Sequence, residues 1–258
     1  MKFVLIVLLF FSTSLFCIDL NLSPSANLNA VFNLALISDS PSASIQNPAI
    51  INAGLEISTT YLFNMNELPL YNFHFGYRYL KLGFHFGSSI LEHPFYREII
   101  NNITLNCEFR NFEAGGSVRH IFNEVAGYHS TSSLVFDGGF VWKNKHLQTA
   151  FSVKNFTKSK FENVELPIFY LWEMCYLVTE KSKISLGFEK QNQFDFSIKM
   201  GGRYDVFQQL TIYSGYQYQP NRIGVGLDFH LENYNLEYSI QTHQFLGITH
   251  YVTIGYAL

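Results

Sequence analysis

The sequence predicts an all-β protein, a transmembrane antiparallel β-barrel of about fourteen strands. Charged residues make up 14% of the chain and aromatic residues 17%, whereas soluble domains carry roughly 25% charged residues. From residue 53 onward, short runs alternate between apolar and small or polar side chains, which is the period of a β-strand. The runs recur about every fifteen residues, and no stretch after the N-terminus is apolar over enough residues to form a spanning helix.

A closed barrel accounts for many alternating strands without a spanning helix, because it leaves no unpaired strand edge in lipid. A soluble, secreted β-sandwich would show the same alternation and stays an alternative. It would bury the aromatic face and present a charged face to water, whereas the second face here is small and polar.

The clearest run lies at residues 71–87, which fold back on themselves when a turn is placed at Tyr79 and Leu80. Phe75 then faces Phe84 on an aromatic side, and the opposite side is polar and rich in glycine. Such a polar side suits the lumen of a membrane barrel, although an ordinary hairpin of a soluble β protein also fits the pattern. We expect the polar side chains to line the lumen, with His74 opposite His85 and Arg78 opposite Lys81.

Residues 1–17 have the features of a secretory signal peptide. Lys2 precedes an apolar run that is too short to span a membrane comfortably. We expect cleavage after Cys17. A short N-terminal anchor is one alternative, and a lipid-modified Cys17 is another, although the bulky Phe16 before it fits lipidation poorly.

Residues 18–52 are rich in Ser, Asn, Ala and Pro, and their strand alternation is lost. Pro48 moves Asn47 out of the helical region, so the Asn47 amide can tie the local backbone. The order of residues resembles the N-terminal hatch of FadL-like outer-membrane proteins, particularly the PorV/PorQ branch. There a small-residue helix leads to an acidic turn and then to Asn-Pro-Ala, but this chain lacks the family's glycines ahead of that turn. The matching positions are Asp39, Pro41, Ala43, Asn47, Pro48 and Ala49.

The C-terminal residues carry a second resemblance to the same branch, in which a tyrosine strand leads to Leu-Gly, Thr-His and a last strand. An apolar residue at the end of that strand suits recognition by the barrel-insertion machinery, where Phe is more usual than Leu. The matching positions are Tyr238, Gly247, Thr249, His250 and Leu258.

The resemblance implies a function as well as a fold. FadL relatives pass ligands through a hatch-controlled lumen, which implies a channel for a small hydrophobic molecule in the outer membrane of a diderm bacterium. PorV-like relatives serve a protein-secretion system, so an adaptor or shuttle barrel that binds secreted proteins is the alternative, and a structural or surface-antigen barrel is a third. The implied division is a signal peptide at 1–17, a hatch at 18–52 and a barrel at 53–258, with membrane lipid and the insertion machinery as partners.

The sequence indicates no catalytic, metal or cofactor site, and we do not expect an enzyme. The nine histidines form no HxH or HExxH spacing. His129 and Ser130 are residue types that an outer-membrane phospholipase uses, but no GxSxG motif or third partner accompanies them, so a serine-rich turn is the simpler interpretation. Cys107 and Cys175 form no CxxC spacing. A net charge of −3 without a basic block argues against a nucleic-acid partner.

Overall fold

The computed structural model describes residues 25–258, except 66, 162–163, 193 and 245. The predicted signal peptide lies outside the described residues. Fourteen antiparallel strands form a closed barrel, in which the first strand also pairs with the last. This confirms the predicted fold class and strand number. Among the described residues, no helix is long and apolar enough to cross a membrane.

Each barrel strand pairs with its neighbour in the chain, apart from one inserted hairpin. The barrel strands are β1 (Gly54–Tyr61), β2 (Pro69–Tyr79), β3 (Leu82–His93), β4 (Tyr96–Phe109), β5 (Phe112–Val125), β6 (Thr131–Lys143), β7 (Leu147–Lys154), β10 (Phe169–Thr179), β11 (Ser182–Gln191), β12 (Ser197–Phe207), β13 (Leu210–Tyr218), β14 (Arg222–Leu231), β15 (Tyr234–His243) and β16 (Gly247–Tyr256). The insertion between β7 and β10 carries β8 (Lys160–Phe161) and β9 (Val164–Glu165). The helical elements are α1 (Ala26–Ala30), α2 (Ala43–Gln46) and a 3₁₀ turn at Leu62–Asn64.

Alternation along the strands places apolar side chains outside and polar side chains inside. On β4, Ile103 and Leu105 are exposed on the outer face, whereas Asn102, Thr104 and Asn106 are buried on the inner face. The same division recurs around the barrel, so Phe, Tyr, Leu and Ile cover the outside. Because a continuous apolar surface around the whole barrel would be costly in water, the barrel has the outer face of a protein embedded in lipid.

The β2–β3 hairpin has the predicted faces but not the predicted register. Tyr79 pairs with Leu82, so the two turn residues are Leu80 and Lys81, one position later than expected. Leu80 adopts a φ of 54°, and a positive φ is what two-residue hairpin turns use to match strand twist. The prediction that His74 lies directly opposite His85 is therefore wrong.

The two ends of the barrel differ in their connections. At the end that holds Ala53 and the C-terminus, hairpins such as β2–β3, β4–β5 and β14–β15 close with two residues. We call this the short-turn end. Most connections at the opposite end are longer, and the longest covers residues 155–168. The described part of that insertion packs Phe161 and Leu166 against Ile121 and Val135, which it covers.

Candidate functional site: the barrel lumen and its inner segment

Residues 25–52, which we call the inner segment, lie inside the ring of strands. Their backbone passes close to glycines that face the lumen. A Cβ added to Gly115 would lie 2.5 Å from the carbonyl carbon of Pro48, and one added to Gly215 would lie 2.6 Å from the carbonyl oxygen of Ala30. Both distances are shorter than side chains tolerate, so glycine is needed where the inner segment meets the wall. Because the segment meets opposite sides of the barrel in this way, it fills the lumen.

Three buried glutamates on the barrel wall hold the inner segment by hydrogen bonds. Glu56 of β1, Glu173 of β10 and Glu237 of β15 are each 1% exposed. Burying a carboxyl group is costly unless hydrogen-bond donors satisfy its oxygens. The inner segment supplies the donors, so the lumen carboxylates and the segment stabilise each other.

Glu173 has the most direct arrangement of the three. Its carboxylate accepts the backbone N–H of Ala35 at 2.8 Å and that of Leu36 at 3.0 Å. The Ser185 hydroxyl of the next strand donates to the same carboxylate at 2.8 Å. Two consecutive backbone donors therefore fix the middle of the inner segment to β10.

Glu237 and Glu56 fix the parts of the inner segment that lie before and after Ala35 and Leu36. Glu237 accepts the backbone N–H and the side-chain amide of Asn27, each at 3.0 Å. Glu56 accepts hydrogen bonds from the hydroxyls of Ser40 and Ser42. Together with Glu173, these contacts hold three separate stretches of the inner segment against three strands.

Strand β7, which pairs with β10, holds α2. The Lys154 ammonium donates to the side-chain oxygen of Gln46 at 2.6 Å, and the Ser152 hydroxyl donates to the Gln46 backbone oxygen at 2.9 Å. Lys154 and Gln46 are both buried, so this contact lies within the filled lumen.

The Asn-Pro-Ala triplet lies against β4, β6 and β7. Asn47 adopts an extended backbone, with φ −142° and ψ 112°. Its side-chain oxygen accepts the N–H of Ala49 at 3.0 Å, and its amide nitrogen donates to the carbonyl oxygens of Phe140 and Phe151 at 3.4 and 3.3 Å. The Ala49 carbonyl in turn accepts the Asn106 amide at 2.6 Å. The triplet thus joins the inner segment to the wall through hydrogen bonds on both of its sides.

The remaining hatch candidates are Asp39, Pro41 and Ala43, which lie near the short-turn end. Asp39 is paired with Arg203, and its carboxylate is 3.8 Å from the Lys183 ammonium. The Asp39 side chain is exposed at the short-turn end. Desolvation by the surrounding chain opposes its ionisation, but the charges of Arg203 and Lys183 outweigh that effect, so the pKa of Asp39 lies below its ordinary value. Pro41 packs against Gly54 of β1. Ala43 begins α2 and is fully buried.

Of the four lumen candidates, the structure places three on the inner side of the barrel. The rings of His74 and His85 stack, with centroids 5.3 Å apart and His74 Nδ1 lying 3.1 Å from His85 Nε2. The diagonal register brings the two rings together even though neither residue is the other's direct partner. Arg78 binds Glu113 at 2.9 Å. Lys81 lies instead in the β2–β3 turn and is exposed, because the turn falls one residue later than expected.

The C-terminal candidates lie in and beside the last hairpin. The Tyr238 hydroxyl is 2.8 Å from His250 Nδ1, and His250 Nε2 is 2.8 Å from the side-chain oxygen of Asn64. The Thr249 hydroxyl accepts a backbone N–H from the same 3₁₀ turn at 3.2 Å. Gly247 begins β16 with a φ of 94°, and Leu258 is exposed beyond the end of that strand.

A further polar group joins the inserted connection to the wall. Asp137 of β6 pairs with Arg119 of β5 at 2.7 Å and accepts the Ser117 hydroxyl at 3.0 Å and the backbone N–H of Asn155 at 2.8 Å. The Asn155 amide donates to the Leu166 carbonyl at 2.8 Å. This group fixes the first residue of the 155–168 connection.

Sequence reasoning missed the residues that hold the inner segment most directly. Glu56, Glu173, Glu237 and Lys154 each occupy an inward position of a strand, and alternation alone could have placed them in the lumen. The strongest signal was Glu173, a single acid within the apolar run at 168–178. Among the described residues, no group of three or more His, Cys, Asp or Glu side chains could hold a metal ion.

Comparisons with known proteins agree on the fold. No family model and no curated protein matches the chain. Among solved structures, a FadL homologue from Pseudomonas aeruginosa matches 90% of this chain and 98% of its own, with a TM-score of 0.62 and 11% identity. The CymD monoaromatic hydrocarbon channel matches 92% of this chain and 98% of its own, with a TM-score of 0.65 and 8% identity. The chain therefore has the fold of FadL-like barrels.

Proposed function

We propose that this protein is an outer-membrane channel for a small hydrophobic molecule, gated by the inner segment. The observation that carries the proposal is that a non-covalently held segment fills the lumen of a closed barrel. Its anchors are hydrogen bonds that it donates to Glu56, Glu173 and Glu237, rather than a continuous strand pairing. Such contacts can break and re-form, whereas the barrel wall stays paired throughout.

The surfaces of the barrel support a membrane location. The outer face is apolar and aromatic, and one end has short turns while the other has longer connections. In outer-membrane barrels the short turns face the periplasm. We therefore place the short-turn end, where Asp39 lies, on the periplasmic side. A signal peptide at 1–17 and a hatch at 18–52 belong to the same proposal.

The apolar nature of the solute has two supports. The inner segment covers an apolar patch of the inner wall, formed by Val141, Ala150, Cys175 and Tyr213, with Leu28, Val31, Leu34 and Ile37 packed in the same cluster. Movement of the segment would expose this patch to a solute. The CymD structure, which shares the fold, is described as a monoaromatic hydrocarbon channel.

The PorV/PorQ assignment and the secretion-adaptor role rest on the sequence resemblance alone. Co-purification of a secreted protein with the barrel would support the adaptor role. No contact of the described residues favours it over the channel.

Uptake by whole cells tests the channel directly. The protein is expressed in a diderm bacterium that lacks its own hydrocarbon channel, and entry of a labelled monoaromatic hydrocarbon is measured. We expect faster uptake than in cells with empty vector, and a different rate when Asn47, Pro48 and Ala49 are deleted. Heat-dependent gel migration of the outer-membrane fraction verifies that both proteins fold. Uptake equal to that of empty cells would reject the channel, and unchanged uptake after the deletion would reject the gate.

A further inference from the structure

The hairpin turns at the short-turn end divide into two halves that differ in charge. Three neighbouring turns, β2–β3, β4–β5 and β6–β7, each contain one basic residue and no acid: Lys81, Arg110 and Lys145. We call these three residues the basic rim. The other turns at this end, residues 180–181, 208–209 and 232–233, together contain two acids and one base. Positive charge is therefore concentrated along one half of the barrel.

Backbone contacts join the three basic turns into a continuous edge. The Glu108 N–H, at the end of β4, donates to the Lys81 carbonyl at 2.8 Å, and the Lys143 N–H, at the end of β6, donates to the Asn111 carbonyl at 2.8 Å. Each turn thus lies directly beside the end of the next hairpin. The basic rim presents its charges along one edge of the barrel rather than at separate places.

The charges of the basic rim are not neutralised within the protein. All three side chains are exposed, and among the described residues none of them forms an ion pair. Two acids at the strand ends beside the rim have other partners. Glu113 binds Arg78 at 2.9 Å and also binds Lys143, and Glu108 lies 3.7 Å from Arg78. The rim therefore keeps its positive charge for a partner outside the chain.

Outward aromatic side chains place the basic rim at the surface of the membrane. Tyr79, Phe109 and Phe112, which flank the first two basic turns, are exposed on the outer face. The guanidinium carbon of Arg110 lies 5.5 Å from the centre of the Phe109 ring. Aromatic residues form girdles at the two interfaces of an outer-membrane barrel, and long basic side chains beside them extend toward the head groups. The rim thus lies at the level of the phosphates of one leaflet.

We infer that the basic rim binds the head groups of anionic phospholipids in the leaflet at the short-turn end. A phosphodiester supplies the negative charge that the rim lacks, and lysine and arginine donate hydrogen bonds to its oxygens. Basic clusters beside a membrane attract anionic lipids in this way. A head group that carries its own ammonium is neutral overall and is attracted less. An acidic soluble protein would match the charge of the rim but not the outward aromatic residues that flank it. Lipid binding here belongs to the outer surface and is independent of transport through the lumen.

The two tryptophans of the chain allow a direct test, because they lie near opposite ends of the outer face. Trp142 is the second-last residue of β6 and pairs with Phe112, beside the basic rim. Trp172 is the fourth residue of β10, which begins at the opposite end. Trp172→Phe leaves Trp142 as the reporter, and Trp142→Phe leaves Trp172. Each variant is refolded into vesicles of phosphatidylcholine and phosphatidylglycerol. Quenching by the brominated form of either lipid then gives the relative affinity for the anionic lipid at each tryptophan.

We expect about a fivefold preference for phosphatidylglycerol at Trp142, the fold-change that one basic residue provides at a charged membrane surface. At Trp172 we expect equal affinity for the two lipids. Because salt screens exposed charges, the preference at Trp142 should fall at high ionic strength. The same preference at both tryptophans would overturn the inference. Equal affinity for the two lipids at Trp142 would also overturn it and would point to an acidic soluble partner instead.

Charge removal locates the site. The rim is neutralised in the Trp172→Phe protein by three substitutions: Lys81→Gln, Arg110→Gln and Lys145→Gln. We expect the preference for phosphatidylglycerol to disappear. Lys181→Gln removes a basic turn residue from the other half of the same end and should leave the preference unchanged. Heat-dependent gel migration verifies that each variant folds. A preference that survives in the folded triple variant would overturn the placement, and the comparison of the two tryptophans decides the matter if that variant does not fold.

Discussion

Glu173 of β10 accepts the backbone N–H of Ala35 at 2.8 Å, and this hydrogen bond joins the barrel wall to the inner segment. On the same strand, Trp172 and Tyr176 are exposed on the outer face. One strand thus presents an aromatic surface outward and a single carboxylate inward. This division lets the barrel wall hold a polar backbone inside while its outer face stays apolar.

Replacing Glu173 with Ala should loosen the inner segment without opening the barrel wall. The change leaves the N–H groups of Ala35 and Leu36 without their acceptor, which costs about 1–3 kcal/mol. We expect faster proteolysis within residues 25–52 in the folded protein. Glu180→Ala, in the exposed β10–β11 turn, serves as the control and should match wild type. Equal proteolysis of Glu173→Ala and wild type would show that the carboxylate does not hold the segment.

Gly115 and Gly116 are neighbours in the chain that make opposite predictions. A Cβ on Gly115 would clash with the Pro48 backbone, whereas the nearest atom to one on Gly116 is 3.7 Å away. Gly115→Ala should therefore displace the inner segment and destabilise the protein by about 1–3 kcal/mol, as overpacking does. Gly116→Ala should have little effect. Urea-induced unfolding of the refolded barrels measures both, and equal effects would contradict the close approach.

Asp137 should be among the most sensitive positions, because it pairs with the buried Arg119 and also accepts the Asn155 N–H. Asp137→Ala removes the carboxylate that pairs with the buried Arg119 guanidinium, and breaking such a pair costs about 3–5 kcal/mol. Glu165→Ala breaks the exposed pair with Lys160, which should cost about 0–1 kcal/mol. The unfolding free energies of the two variants test this, and similar losses would mean that the Asp137 group is solvated.

The outer face can be tested with single charges. Ile103 lies near the middle of β4 and points outward, so Ile103→Arg should cost about 2–4 kcal/mol in a bilayer. Leu80, in the β2–β3 turn, is also exposed, but Leu80→Arg should cost far less because turns lie outside the hydrocarbon. Folding into lipid vesicles measures the difference. Equal tolerance of both changes would argue that the face at Ile103 meets water.

Much of the barrel could be predicted from the sequence because alternation decides which face of a strand is apolar. The strand number and the polar lumen of β2 and β3 followed from that period. The register did not follow, because mirror symmetry about Tyr79 and Leu80 and the actual turn at Leu80 and Lys81 preserve the same faces. Only the turn geometry separates the two, and no Asn-Gly or Asp-Gly pair marks it.

The site was less accessible to sequence reasoning. Pro48 disfavours a helical backbone at Asn47, and the structure shows Asn47 in the extended region. The partners of Glu173 and Glu237 lie far away in the chain, in a segment without strand periodicity. Pattern alone cannot pair such residues, because a lone inward acid looks the same whether it meets water or a backbone N–H. The role of the remaining hatch and C-terminal candidates stays a prediction.

Planar-bilayer conductance, measured with and without the inner segment, shows whether that segment closes the barrel. The wild-type barrel and a variant lacking residues 25–52 are refolded, and heat-dependent gel migration verifies that both form barrels. We expect little conductance from the wild type, because the segment fills the lumen, and a stable open pore from the variant. Equal conductance from the two proteins would contradict the claim that the inner segment closes the barrel.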